Sequence, residues 1–374
     1  TQATLSSPKW PLSVEAKVPG IYTRIDDPEV FNWIQKTAFG KKRTGNSHKI
    51  FVTTGLHDSY EVGKRTKVID MKDDNFVCDL PDYPIEIRRG VGGIVNGFPM
   101  VCGGENATED RGRKNTPECY TLSQGTWQKS AWMMTAGRFA MGTGNVVFDN
   151  KLLISGGIED SPAIPGLDLG YVNTYMDSSF LIGSQSQVET VEISPFPNDL
   201  SLVDHCNVKL NSTSFMLTGG EAYLNEYRSE TLIYDLISQE WATGPKMIHK
   251  RKNHGCVKLE NIIWVTGGWT FEDGYLNSTE FLDLDNLNEG WKEGSDIPYF
   301  VTYHRMAASE DMKTAYIIGG YGSESWAEDI LELKCTGLSP SSCAFKFSEA
   351  NIKIKRAGHV ALPISNELAE ELCS

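Results

Sequence analysis

Paired glycines recur along this chain, and each pair ends an apolar run of about the length of a β-strand. The pairs are Gly103-Gly104, Gly156-Gly157, Gly219-Gly220, Gly267-Gly268 and Gly319-Gly320, and a degenerate copy ends at Gly55. Successive copies are 48 to 63 residues apart. A period near 50 residues indicates a repeat protein with one supersecondary unit per repeat.

Each repeat carries further order around its glycines. Upstream, a basic residue stands before small or apolar residues, as in "GRFAMG" at Arg138. Downstream, an aromatic residue precedes a tryptophan by seven positions, as in "YDLISQEW" from Tyr234 to Trp241. The residues between the aromatic and the tryptophan are turn-formers, which predicts a hairpin in every repeat.

The diglycine after a buried strand, followed by Tyr-x6-Trp, resembles the kelch repeat. The resemblance covers residues 48–364, and it implies an all-β fold in which each repeat forms one four-stranded blade of a β-propeller. The segment "KRAGHVALPIS" at 355–365 opens like an inner strand but lacks a diglycine strand after it. The segment "HKIFVTTG" at 48–55 has the opposite defect. We therefore predict a six-bladed kelch-type β-propeller whose first blade is closed by the C-terminal strand.

Two segments lie outside the repeats. Residues 1–47 form an N-terminal extension, in which "DDPEVFNWIQKTAF" at 26–39 predicts a short helix with an apolar face. We expect this extension to pack on the propeller. Residues 365–374 form a C-terminal tail. Six repeats and these two segments occupy all 374 residues, which leaves no room for a separate catalytic domain.

Net charge argues against nucleic acid as a partner, and hydropathy argues against a membrane-spanning helix. The formal net charge is −14, so sequence-independent binding to nucleic acid would be opposed by electrostatic repulsion between the protein and the phosphate backbone. The basic run "GKKRTG" at 40–45 is interpreted as a solvated loop. No apolar run approaches the 18 or more residues of a membrane-spanning helix, so no transmembrane segment is predicted.

The eight cysteines contain no Cys-x-x-Cys pair, which argues against a zinc site. Cys206 and Cys256 lie in inner strands of neighbouring blades, on faces that point towards each other. Cys335 and Cys343 bracket a hairpin, and Cys78 and Cys373 remain by elimination. The predicted pairs are Cys102–Cys119, Cys335–Cys343, Cys206–Cys256 and Cys78–Cys373. Four disulfides indicate a secreted, extracellular protein; the alternative is a cytosolic propeller with eight buried thiols.

Three Asn-x-Ser/Thr triplets accompany the cysteines, at Asn106, Asn211 and Asn277. Each lies in a predicted loop or turn and is a glycosylation acceptor in principle. A chain this rich in asparagine contains such triplets by chance, so they permit secretion without arguing for it.

Candidate binding residues cluster where the inner strands begin. The basic residues before those strands are Arg89, Arg138, Lys252, Arg305 and Arg356. By repeat equivalence they would form a ring at one end of the channel, suited to carboxylates or phosphates. The alternative is that each cation pairs with an acid or a carbonyl of its own blade. The loops after the diglycines, with Trp269, Tyr321 and the insertion at 158–187, are the second candidate.

These observations favour a non-catalytic binding module without a cofactor, whose partner is a protein or a small-molecule ligand at the channel-mouth loops. One alternative is a carrier of a small apolar ligand or pigment, in a cavity lined by tryptophans and by Met133, Met134 or Met306. A second is a metal enzyme resembling galactose oxidase, for which no Tyr/His copper site can be assembled. The candidate ligands of a metal in the channel are four histidines near the starts of inner strands: His205, His254, His304 and His359. Ordinary hydrogen-bonded residues are the favoured interpretation.

Overall fold

The structure is a computed structural model that describes residues 15–18, 21–24, 47–57, 61–73, 76–107, 113–134, 136–161, 172–183, 190–323, 326–337, 339–349 and 354–374. The chain divides into two units, Thr1–Asn46 and Ser47–Ser374. In the first unit, Glu15–Val18 pairs antiparallel with Ile21–Arg24. The helix predicted at 26–39 lies outside the described residues, and the packing of this extension stays a prediction.

The described part of the second unit contains six four-stranded antiparallel sheets, which we number 1 to 6. From inner to outer strand, sheet 1 consists of Val360–Ile364, Lys49–Thr53, Thr66–Asp70 and Val77–Leu80. Sheet 2 consists of Val91–Val95, Phe98–Cys102, Glu118–Ser123 and Thr126–Met133. Sheet 3 consists of Val147–Phe148, Lys151–Ser155, Ser179–Gly183 and Thr190–Ile193.

The remaining three sheets follow the same order. Sheet 4 consists of Cys206–Lys209, Ser214–Thr218, Thr231–Asp235 and Glu240–Thr243. Sheet 5 consists of Gly255–Leu259, Ile262–Thr266, Thr279–Asp283 and Lys292–Glu293. Sheet 6 consists of Arg305–Ala308, Ala315–Ile318, Leu331–Cys335 and Cys343–Phe347. Inner strands of consecutive sheets contact one another all the way round, so the ring is closed.

Short strands follow the second strands at the diglycine end of the ring. They pair as Leu56–His57 with Arg356–Ala357, Glu105–Ala107 with Arg113–Asn115, Ile158–Ser161 with Arg138–Phe139 and Val172–Tyr175, Glu221–Ala222 with Glu226–Tyr227, and Trp269–Thr270 with Gly274–Tyr275. The 3-10 helices are Pro197–Asp199, Tyr223–Asn225, Leu284–Glu289 and Pro340–Ser342. Among the described residues, the α-helix is Asn366–Cys373, here called α1. No helix in the described residues is long and apolar enough to cross a membrane.

The core lies between adjacent sheets, because each sheet is covered on both faces. In the second strand of sheet 5, Trp264 packs with Phe345 of sheet 6. The alternate residues Ile263 and Val265 pack on the other face with Met216 of sheet 4. Successive side chains of a strand point to opposite faces, and each fully buried aliphatic side chain contributes about 1.5–3 kcal/mol. Continuous apolar runs in the second strands are the consequence.

The diglycines are required by close packing at the end of each second strand. Gly267 has φ +57° and Gly268 has φ +105°, a region that residues with a Cβ rarely adopt. A Cβ on Gly267 would lie 2.5 Å from the carbonyl oxygen of Val301 and 3.0 Å from Cε1 of His304. A Cβ on Gly268 would lie 3.0 Å from Cβ of His254. Gly267 therefore packs against His304 of the next sheet, and Gly268 packs against His254 of its own sheet.

The chain termini and the cysteines close the ring. Val360–Ile364 pairs antiparallel with Lys49–Thr53, which confirms the predicted role of the C-terminal strand. Four disulfides join Cys78 to Cys373, Cys102 to Cys119, Cys206 to Cys256, and Cys335 to Cys343. These are the pairs derived from the sequence. The first connects the outer strand of sheet 1 to α1, so the closing strand is held covalently as well as by its ladder.

Candidate functional site at the mouth of the channel

A ring of left-handed residues surrounds the diglycine end of the channel, one from each sheet just before its inner strand. The members of this mouth ring are Arg89, Ala140, Asp204, Asn253, Tyr303 and Gly358. Their φ angles lie between +53° and +61°. Five of the six are not glycine, and each such residue stores backbone strain of order 1–3 kcal/mol. Strain of this kind is a feature of binding and catalytic sites.

Backbone hydrogen bonds link the members of the mouth ring. With the N–H donor first, the bonds of 2.7 to 3.0 Å are Arg89 to Gly358, Gly358 to Tyr303, Tyr303 to Asn253, Asn253 to Asp204, and Asp204 to Ala140. The bonds fix the order of the six residues around the mouth. They also hold the backbone rigidly, so the side chains are presented from a preorganised frame.

Arg89 and Asp204 form an ion pair across the mouth, with Nη2 and Oδ2 2.6 Å apart. The amide of Asn253 donates to the same Oδ2 at 3.2 Å. The Arg89 guanidinium lies over the rings of Phe139 and Tyr303, at 4.8 and 5.5 Å from their centroids. Burial disfavours the charged form of Arg89, but the Asp204 carboxylate outweighs it and raises the pKa of Arg89.

Two cavities of about 270 Å³ each share Tyr303 and Tyr321, whose rings are stacked with centroids 5.5 Å apart. The first cavity is lined by Leu56, Arg88, Arg89, Tyr303, Tyr321, Ala357 and Gly358. The second is lined by Lys252, Asn253, Trp269, Tyr275, Thr302, Tyr303 and Tyr321. Burial raises the pKa of both tyrosines, so each phenol stays neutral. Gly358, the glycine of the mouth ring, is one of the residues that line the first cavity.

Lys252 lies beside the second cavity. Its ammonium pairs with Glu221 and lies 5.1 Å from the ring centroid of Trp269 and 5.4 Å from that of Tyr227. Burial acts to lower the pKa of Lys252, but the nearby carboxylates of Asp204 and Glu221 raise it. The lysine is therefore a fixed cation between two aromatic faces.

Arg305 reaches the same region from the inner strand of sheet 6. It is 9% exposed and donates to the carbonyl of His304 at 3.2 Å. Burial lowers the pKa of Arg305 to about 10, and Asp204 and Arg89 lie close enough for their charges to act on it. It stays protonated at neutral pH, yet none of the carboxylates in the described part of the chain forms an ion pair with it.

Similar proteins share this repeat. No family model matches the chain. Kelch-like protein 40a of Danio rerio is 28% identical over 122 residues, which are 31% of this chain and 20% of that protein. Kelch-like protein 40 of Xenopus laevis is 23% identical over 193 residues, 47% of this chain and 31% of that protein. The matches thus span a third or less of those relatives.

Among solved structures, YjhT aligns with a TM-score of 0.64 at 12% identity, over 81% of this chain and 98% of its own. That similarity concerns the fold alone. Together with the diglycine repeat and the four-stranded sheets, it establishes the fold. The chain folds as a kelch-type β-propeller. The predicted fold class is confirmed.

The propeller does not place the five predicted cations at one repeat position, so that part of the prediction is wrong. Arg138 and Arg356 lie two residues before the mouth ring, Lys252 one before, Arg89 in the ring, and Arg305 two after. The left-handed residue of the mouth ring interrupts the extended chain, so cations before, in and after the ring point to different surroundings. Arg89, Lys252 and Arg305 meet at the mouth, and the other two do not.

Arg138 and Arg356 serve the propeller itself. Arg138 pairs with Glu159. Arg356 donates to the carbonyls of Thr54 and Arg65 at 3.3 and 2.7 Å, and burial lowers its pKa to about 10. Both arginines tie a second strand to the start of the neighbouring third strand, which is the alternative interpretation given above for such cations.

The four inner-strand histidines are buried between sheets. His205, His254 and His304 place Nε2 within 2.8–2.9 Å of a hydroxyl of the preceding sheet. Burial lowers the pKa of His205 and of His304 to about 3, so both rings are neutral. Ile318 occupies the position equivalent to those hydroxyls in the sheet before His359, and neither ring nitrogen of His359 has a partner among the described atoms.

Trp269 and Tyr321 line the cavities as the sequence suggests, whereas Asp204 and Tyr303 were missed. A signal for the missed residues exists in the sequence, because each precedes an inner-strand histidine, in "DHC" and "YHR". "NHG" and "GHV" mark Asn253 and Gly358 in the same way. Of the 158–187 insertion, Ile158–Ser161 and Val172–Tyr175 form strands at the mouth, and 162–171 lies outside the described residues.

The methionines named for an apolar carrier do not line one cavity. Met133 is exposed, whereas Met134 lies in the core between sheets 2 and 3. Met306 lies in the core between sheets 5 and 6. The described structure therefore gives the carrier alternative no support from these residues.

Proposed function

We propose that this propeller is a secreted, disulfide-stabilised and non-catalytic binding module that takes an anionic group of a protein or small-molecule ligand at the channel mouth. One observation carries the proposal. In the described part of the mouth, Arg88, Arg89 and Lys252 pair with Glu105, Asp204 and Glu221, whereas Arg305 forms no ion pair with a described carboxylate.

A buried cation without an ion pair gains more from an incoming anion than a solvated one, because its desolvation has already been paid during folding. Arg305 is in this state. The first cavity offers an anion two guanidinium groups, since Arg88 and Arg89 line it. The faces of Tyr303 and Tyr321 provide apolar contact for whatever carries the charged group.

Three further observations support the remaining parts of the proposal. The four disulfides favour an oxidising compartment. The inner-strand histidines are buried and three of them are bonded to hydroxyls, so they are not offered to a ligand as bases. Asn211 is exposed in the turn between the inner and second strands of sheet 4, which makes it the best of the three glycosylation candidates; Asn106 and Asn277 are half-buried.

Binding is tested by fluorescence anisotropy with a fluorescein-labelled hexaglutamate peptide at low salt. We expect salt-sensitive binding that Arg305→Gln weakens roughly tenfold or more. Gly358→Asn is expected to weaken it too, since asparagine tolerates this backbone, as at Asn253, but its side chain enters the first cavity. Lys313→Gln is the control, because this exposed lysine lies at the opposite end of sheet 6. Equal affinities in all four proteins would overturn the mouth as the site.

Secretion is tested by intact mass spectrometry of protein purified without reductant from its native source. We expect no free thiols and glycan mass at Asn211. Eight alkylatable thiols after denaturation would overturn the extracellular assignment while leaving the binding result untouched.

A further inference from the structure

The Arg89–Asp204 pair joins residues that are two sheets apart, and it depends on the small residue between them. The hydrogen-bond order of the mouth ring places Ala140 between Asp204 and Arg89. A methyl group leaves the two longer side chains free to meet. Both charged side chains are nearly buried, with 14% of Arg89 and 4% of Asp204 exposed.

One carboxylate acts on three cations here. The Asp204 charge raises the pKa of Arg89 and of Lys252 and opposes the lowering of the Arg305 pKa by burial. Glu105 pairs with Arg88 and also raises the pKa of Arg89, and Glu221 pairs with Lys252. Asp204 is the carboxylate paired with Arg89, whose guanidinium lines the first cavity.

We propose, on the basis of the function proposed above, that Asp204 determines the charge selectivity of the mouth, so that the site takes a monoanionic carboxylate in preference to a dianionic phosphate. The two arginines that line the first cavity are already paired, Arg88 with Glu105 and Arg89 with Asp204, so the cavity offers guanidinium donors with little excess positive charge. A dianion therefore brings more unmatched negative charge next to the Asp204 carboxylate than a monoanion does. An unmatched charge in a buried site is costly.

Asp204 occupies one nitrogen of a guanidinium that also lines the first cavity. It accepts a hydrogen bond from Nη2 of Arg89, while the first cavity is lined by Arg89, Tyr303 and Gly358. An anion in the cavity thus binds next to Asp204 without displacing it, and repulsion between the two carboxyl-type groups grows with the charge of the ligand.

The test compares two ligands of the same shape class, phenylacetate and phenyl phosphate, by isothermal titration calorimetry at pH 8. The proteins are the wild type, Asp204→Asn and Glu221→Gln. Asparagine suits the left-handed backbone at 204, as Asn253 shows, and Glu221→Gln removes the same charge from a carboxylate that pairs with Lys252 rather than with Arg89. We expect the wild type to prefer phenylacetate and Asp204→Asn to shift the affinity ratio roughly tenfold towards phenyl phosphate, with a smaller shift in Glu221→Gln.

The outcomes separate the two proposals. Binding of both ligands with a ratio unchanged in Asp204→Asn overturns the role of Asp204 and leaves the mouth as an anion site. Equal shifts in the two variants also overturn it, because selectivity would then follow net charge alone. Binding of neither ligand by any of the three proteins overturns the proposed anion site together with this inference.

Discussion

Replacing the first glycine of a diglycine pair by alanine isolates the packing constraint at the end of the second strand. Gly267→Ala places a Cβ 2.5 Å from the carbonyl oxygen of Val301 and 3.0 Å from Cε1 of His304. That oxygen accepts the N–H of Gly268 at 2.8 Å, so it cannot move away without weakening a buried hydrogen bond. Gly125→Ala is the matched control: Gly125 has φ +69°, close to the +57° of Gly267, but no atom lies within 4 Å of its added Cβ.

Both variants place a Cβ in the left-handed region, which lowers the free energy of unfolding by about 1–2 kcal/mol. Gly267→Ala adds overpacking of about 1–3 kcal/mol and a weakened hydrogen bond of about 0.5–1.5 kcal/mol. We therefore expect a free energy of unfolding lower by about 3–5 kcal/mol for Gly267→Ala and by about 1–2 kcal/mol for Gly125→Ala.

Urea unfolding followed by tryptophan fluorescence, with the disulfides intact, measures the difference. A gap below about 1 kcal/mol between the two variants would refute the packing argument, because backbone conformation alone would then explain why glycine occupies this position.

Three further predictions follow from buried groups. Burial lowers the pKa of His304 to about 3 from about 6.5 when unfolded, so the contribution of the neutral ring to the free energy of unfolding is complete above pH 6.5 and falls by about 1.4 kcal/mol per pH unit towards pH 3. In urea titrations, the free energy of unfolding should therefore fall less between pH 7 and pH 5 for His304→Gln than for the wild type. An unchanged fall would contradict this. The double change Cys78→Ser with Cys373→Ser should lower the free energy of unfolding by about 2–5 kcal/mol and lower Tm more than the corresponding double change at Cys335 and Cys343. The reason is that the first disulfide joins residues 295 positions apart and the second joins residues 8 positions apart. The reverse order of Tm values would count against the loop-entropy argument. Arg251→Met leaves the fully buried Glu280 without its cation and should cost about 3–5 kcal/mol in chemical denaturation, whereas a loss under 1 kcal/mol would show that the pair is dispensable.

Periodic features of the chain were readable because each depends on local sequence. The diglycines mark the ends of second strands, and a spacing of seven residues from Tyr234 to Trp241 predicts the hairpin in which these two residues are cross-strand neighbours. The incomplete repeats at the two termini predict the strand pairing observed between Lys49–Thr53 and Val360–Ile364. The cysteine pairs followed once the strands had been placed.

The mouth was predicted only in part, because its geometry changes with single-residue offsets. Arg138, Lys252 and Arg305 look alike in the sequence as bases before an inner strand. Relative to the mouth ring, Lys252 and Arg305 are shifted from the position of Arg138 by one and four residues; Arg138 pairs within its repeat, and the other two lie at the mouth. A period of about 50 residues locates a repeat, but it does not resolve which face of an extended segment a side chain occupies.

The sequence by itself determined the repeat, its strands, the closure of the ring and the disulfide partners, since hydrophobic patterning and turn chemistry act over a few residues. Only the tertiary structure decided that Asp204 meets Arg89 across the ring and that Arg305 forms no ion pair with a carboxylate of the described residues. Arg89 and Asp204 are 115 positions apart in the chain. They exist because closing six sheets into a ring brings the starts of all inner strands together, and no local pattern encodes that convergence.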